Sequence, residues 1–116
     1  MSLSAFTEFC GRLPHATKDI KWGNDLVFSI GGKMFAVFDE SGGERFSFKT
    51  TPAVFSILIG RPGIKPAPYV ARYHWVSLDH PRVLPRKEIE ELLRESYHLV
   101  SLGLPAKVRR SLGAQP

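Results

Sequence analysis

The chain has 116 residues, 43% of them hydrophobic and 23% charged, with a formal net charge of +5. That length suits one hydrophobic core, so residues 1–116 are expected to form a single domain, and the composition is that of a chain that folds in water. No stretch approaches the roughly 18 consecutive apolar residues of a membrane span, which excludes a membrane protein of the helical kind.

Phe6, Phe9, Cys10 and Leu13 fall at i, i+3, i+4 and i+7, one stripe of a helix that Pro14 ends by removing an amide donor. From Thr17 the pattern changes to short extended runs, predicted as strands over Thr17–Trp22, Asp25–Ile30, Met34–Asp39 and Arg45–Lys49. Gly23-Asn24, Gly31-Gly32 and Ser41-Gly42-Gly43 separate them, residue types that accept positive φ and close tight hairpins. Along Arg45-Phe46-Ser47-Phe48-Lys49 the alternation sends the phenylalanines to a core and Arg45, Ser47 and Lys49 to the opposite face. Thr51-Pro52 reads as a helix start, with Val54, Ile57 and Leu58 as the apolar stripe and Gly60 as the stop. Three prolines between Arg61 and Tyr69 predict an irregular loop, made basic by Arg61, Lys65 and Arg72. Tyr73–Asp79 is a further extended run. After Pro85, Ile89, Leu92, Leu93, Ser96 and Val100 line one face of the longest predicted helix, which Gly103 terminates; Leu104–Leu112 adds a short basic helical segment carrying Lys107, Arg109 and Arg110. The order of elements implies an α+β fold: a two-layer domain with an antiparallel sheet of about five strands and helices on one face.

The amino terminus carries Glu8 and has none of the basic start, apolar run and small-residue cleavage site of a secretory signal, so a cytoplasmic location is expected. The one cysteine, Cys10, lies on an apolar stripe and reads as a small buried hydrophobe. His74 and His80 sit at opposite ends of one extended run, too far apart to share an ion, and His98 is on a different helix. Gly31-Gly32-Lys33 joins two strands and lacks the spacing of a phosphate loop. Neither a catalytic constellation, nor a metal, nor a cofactor is expected.

Trp22-Gly23, Gly32-Lys33-Met34-Phe35-Ala36, Trp75-Val76 and Ser96-Tyr97-His98-Leu99-Val100 with Leu104-Pro105-Ala106-Lys107 resemble, in order and spacing over roughly residues 4–112, the successive motifs of the MmcQ/YjbR family. The resemblance implies a fold similar to type III secretion chaperones, whose sheet has also been likened to a double-wing DNA-binding motif. It further implies a cytoplasmic bacterial DNA-binding protein, and it brings no catalytic residues to carry over.

Charge is spread unevenly. Residues 1–58 hold six bases and six acids, residues 59–116 ten bases and five acids, so the second half is the expected electropositive side. Two surfaces suit nucleic acid. One is the polar face of the strands, with Lys21, Arg45 and Lys49 on phosphates and Trp22 stacked on a base. The other joins the loop bases Arg61, Lys65 and Arg72 to the tail bases Lys107, Arg109 and Arg110. Glu88, Glu91 and Glu95 make the long helix a poor phosphate binder, and Trp75 and Tyr97 are expected in the core. The expected function is a non-enzymatic DNA-binding module acting through backbone electrostatics. The alternative is a protein-interaction or chaperone-like module; a continuous basic groove would favour the first and an exposed apolar patch the second.

Overall fold

A computed structural model describes residues 3–39 and 43–112. Its elements run α1 (Leu3–Gly11), β1 (Thr17–Lys21), β2 (Asp25–Ile30), β3 (Lys33–Asp39), β4 (Phe46–Lys49), α2 (Pro52–Leu58), β5 (Ile64–Pro66), β6 (Trp75–Leu78), α3 (Arg86–Leu102) and α4 (Ala106–Leu112). The Ser41-Gly42 part of the predicted turn lies outside the described residues.

The strands form one antiparallel sheet in the order β1-β2-β3-β4-β6-β5. β2 and β3 close through Gly31 and Gly32, at φ 60° and 83°, a conformation that glycine adopts without a Cβ penalty. Helix α2 begins as predicted: the Thr51 hydroxyl accepts a hydrogen bond from Val54 N, and Pro52 sits where no amide donor is needed. Its apolar stripe differs from the expected one. Leu58 is buried, but Ile57 is 63% exposed, and Phe55 packs on the core instead.

Two departures from the sequence reading shape the sheet. The segment expected to be irregular contains β5, which pairs with β6 through Ile64–Leu78, Lys65–Ser77 and Pro66–Val76. β5 is an edge strand, where the missing amide of Pro66 costs no ladder bond. Asp79 N to Gly63 O (2.9 Å) and Ala67 N to Trp75 O (3.0 Å) hold it at both ends. The sheet therefore has six strands rather than five, and β6 starts only at Trp75, because Ala71–Tyr73 forms a 3₁₀ turn.

The second departure is a bulge. Phe28 pairs with Ala36 but Ser29 with Met34, so Phe35 has no partner on β2. Phe35 and Ala36 both join the core. The extra residue breaks the strict two-residue alternation and sends Met34 to the opposite face.

The core lies between one face of the sheet and helices α1 and α3. Leu26, Phe28, Phe38, Phe46, Phe48, Val76 and Leu78 meet Phe6, Cys10, Ile89, Leu93 and Tyr97. Phe46 stacks between Phe6 and Phe38, with ring centroids at 5.8 and 5.4 Å, and Phe35 meets Tyr97 edge-on at 5.5 Å. Tyr97 also donates its hydroxyl to Pro14 O at 2.7 Å, pinning the chain after α1 to α3. The Ser96 hydroxyl donates to Phe35 O (2.6 Å) and accepts from Lys49 N (3.0 Å). It thus bridges β3 and β4 at the rung that the bulge leaves open.

A candidate binding groove on the open face of the sheet

The face turned away from α1 and α3 carries, by ladder register, Lys21, Asp25, Val37, Ser47, Lys49, Lys65, Trp75 and Ser77. The chain after β5 folds back beside it. Together they enclose an open groove of about 590 Å³ lined by Trp22, Asp25, Met34, Val37, Ser47, Ala67, Pro68, Tyr69, Val70 and Trp75. Trp75 and Ala67 are buried in its wall, whereas Trp22 is 68% and Tyr69 98% exposed. Both exposed aromatics stand in left-handed backbone, at φ 52° and 68°. Residues with a Cβ adopt that region at a cost of about 1–2 kcal/mol each. His15 and His74, outside the groove lining, share that conformation at φ 62° and 67°.

Asp25 is the one acidic side chain of the lining, which holds no Lys, Arg or His. It lies opposite Asp39 in the β2–β3 ladder and opposite Lys21 in the β1–β2 ladder. Burial, and then the neighbouring Asp39 charge, push its carboxyl above the usual aspartate range. Ser77, wholly buried beside Ser47 in the ladder, has an Oγ with no hydrogen-bond partner among the described residues.

The predicted nucleic-acid residues divide. Lys21 and Trp22 are exposed next to the groove, and Arg45 is exposed one residue before β4. Lys49 shares that face, but its Nζ donates to Tyr73 O at 2.8 Å and so braces the loop over the sheet. Arg61 pairs with Glu88 (3.2 Å) and Lys65 with Asp79 (3.6 Å), while Arg72 lies over the Tyr73 ring at 4.9 Å.

The loop and tail bases do not converge. Arg61 is tied to the first turn of α3, while α4, with Lys107, Arg109 and Arg110, follows the far end of that helix. At 1.5 Å per residue the two ends are roughly 24 Å apart. The tail instead meets the β2–β3 turn, since a Cβ placed on Gly31 would lie 2.6 Å from Leu104 and 3.2 Å from Val108. Its bases therefore share an end of the molecule with Lys33.

Other chemistry-bearing side chains sit elsewhere. Burial pushes the Cys10 thiol up to about 12, which removes the thiolate at neutral pH. Among the described residues no three His, Cys, Asp or Glu side chains converge as metal ligands, and no helix is long and apolar enough to cross a membrane. The groove itself was missed by sequence reading. Trp75 was expected in the core and is buried, but it packs from the outer face. The alternation in Arg45–Lys49 did mark that face, but nothing local showed that Pro68–Val70 folds against it.

A helix-backed antiparallel sheet with one open, aromatic-lined face is the two-layer α+β architecture that the motif resemblance implied. The chain belongs to the YjbR family, whose family model matches residues 11–99. It is 33% identical over 81 residues to the uncharacterized protein YbdF of Escherichia coli O157:H7, a match spanning 67% of this chain and 66% of that protein's length. Its fold is similar to the crystal structure of Deinococcus radiodurans protein DR2400, of domain family DUF419 (TM-score 0.85, 28% identity, 98% of this chain and 89% of that one). A Pseudomonas syringae protein of known structure shares the fold at TM-score 0.70 and 22% identity, over 86% of this chain and 99% of that one.

Proposed function

We propose that this chain is a non-enzymatic protein-interaction module that takes a side chain of a partner protein into the aromatic groove of its open sheet face. The observation that carries this reading is the groove itself: apolar and aromatic walls, two exposed aromatic lips in left-handed backbone, and one acidic group. The basic groove expected for DNA has no counterpart there. The bases of the open face stand among Asp25, Asp39 and Asp79, and Lys65 is held in an ion pair. An exposed apolar patch rimmed by polar residues favours a protein partner.

A photo-crosslinking residue placed at Tyr69, with one at Glu91 on the solvent side of α3 as control, tests this in cell extract. Nuclease-resistant protein adducts at position 69 that disappear in Trp22→Ala support the reading. Adducts lost on nuclease treatment, or no adducts above the control, overturn it.

DNA binding is the second reading, favoured by exposed Lys21, Arg45 and Trp22 and by the basic end at Lys33, Lys107 and Arg110. It requires duplex affinity that falls steeply between about 50 and 200 mM salt, through counterion release.

A further inference from the structure

We infer that the groove selects a cationic side chain, the ammonium or guanidinium of a partner's lysine or arginine, seated against aromatic faces with Asp25 as its counter-charge. This rests on the groove being the binding site, and it names the ligand that the site's chemistry prefers.

The aromatic ring face carries a negative potential, strongest for tryptophan, and attracts a cation brought within about 6 Å of the ring centre. Two tryptophans and a tyrosine line this one cavity. The single carboxylate of the lining, Asp25, has a second acid, Asp39, directly across the ladder, and no Lys, Arg or His lines the cavity. A phosphate entering here would meet repulsion from that pair. A neutral apolar side chain would cover the Asp25 carboxylate without giving it a partner, which costs free energy. A cation satisfies both the carboxylate and the rings.

Lys21 is the internal competitor for Asp25. The two are ladder partners across β1 and β2, yet among the described residues no ion pair joins them. The Asp25 carboxylate thus stays available to a charge that enters from the groove. Burial and Asp39 both act against its ionised form, and an incoming cation relieves the second of these directly.

The test uses the whole chain and five-residue alanine peptides whose central residue is lysine, arginine, trimethyllysine or norleucine, the last an uncharged chain of similar length. Binding is followed by tryptophan fluorescence at pH 7.5 in the wild type, in Asp25→Asn and in Trp22→Ala. The cationic peptides should bind about tenfold more tightly than norleucine, the size that a few exposed cation–π and charge contacts supply together. Asp25→Asn should narrow that gap to about twofold, with the aromatic contribution remaining. Lowering the pH into the range where Asp25 protonates should narrow it likewise, with Lys21 and Asp39 as the other charged groups facing that carboxyl.

Equal affinity for cationic and norleucine peptides overturns the cation preference while leaving the groove as a protein-binding site. A preference that survives Asp25→Asn unchanged overturns the part given to Asp25. Binding of none of the peptides, or binding indifferent to Trp22→Ala, overturns both the preference and the groove reading beneath it.

Discussion

Ser96→Ala should be the most destabilising of small changes in this chain, because one hydroxyl serves two backbone groups that the sheet cannot serve. The β2–β3 bulge leaves the Phe35 carbonyl off the ladder, and the β3–β4 pairing stops at Ala36–Phe48, one residue short of Lys49. Ser96 Oγ closes both, at 2.6 and 3.0 Å, from a side chain that is wholly buried. Removing it leaves one buried acceptor and one half-buried donor, at about 1–3 kcal/mol for each group left unmade. A total loss of about 2–6 kcal/mol follows, with a fall in Tm of roughly 4 °C per kcal/mol for a domain of this size. Urea unfolding followed by far-UV circular dichroism measures it, with an unchanged denaturant slope showing that the unfolded state is the same. Ser101→Ala, at a buried serine of the same helix outside this bridge, serves as control and should stay within about 0.5 kcal/mol. A loss below about 1 kcal/mol in Ser96→Ala would refute the reasoning, since it would mean that the bulge satisfies itself without the hydroxyl.

Gly31→Val should destabilise by at least about 2 kcal/mol, because φ is 60° and its Cβ would meet Leu104 at 2.6 Å; thermal melts report it, and limited proteolysis should show α4 released first. Ser77→Ala should be neutral or stabilising by a few tenths of a kcal/mol, because the buried Oγ it removes has no partner among the described residues; a clear loss in urea unfolding would reveal a bond through water. For Asp25 the folded pKa is raised above the unfolded value, so its contribution is fully present below the ordinary value of 3.8 and lost as pH rises through the folded pKa. Asp25→Asn should therefore stabilise the fold at neutral pH and give no gain at pH values under 3.8, a crossover that melts across a pH series resolve. Cys10, with its thiol near 12, should resist thiol reagents at pH 8 until the chain is unfolded, and rapid labelling of the native protein would contradict its burial.

Much of this architecture was legible in the chain because the signals were local. The apolar stripe from Ile89 to Val100 became α3, Thr51-Pro52 became the start of α2, and the paired glycines became the β2–β3 turn. Periodicity and capping depend on neighbours three or four residues away, so a single sequence carries them. The alternation from Arg45 to Lys49 likewise separates the core face from the open face.

Tertiary structure decided the rest. Proline at position 66 reads as a strand breaker, and only the edge position of β5 makes its missing amide harmless. Met34, Phe35 and Ala36 look like an ordinary alternating run until the register with β2 forces a bulge that moves Met34 into the groove. The uneven charge between the two halves of the chain suggested one basic side, but charges become a surface only by where elements lie. α3 holds Arg61 and α4 at opposite ends, and local acids pair with Arg61 and Lys65. The amino-acid sequence by itself determined the family, the elements and which faces are apolar, all set by short-range spacing. The groove, its aromatic lips and its lone carboxylate come from residues 22–75 brought together by strand order and loop closure, long-range contacts that no local pattern encodes.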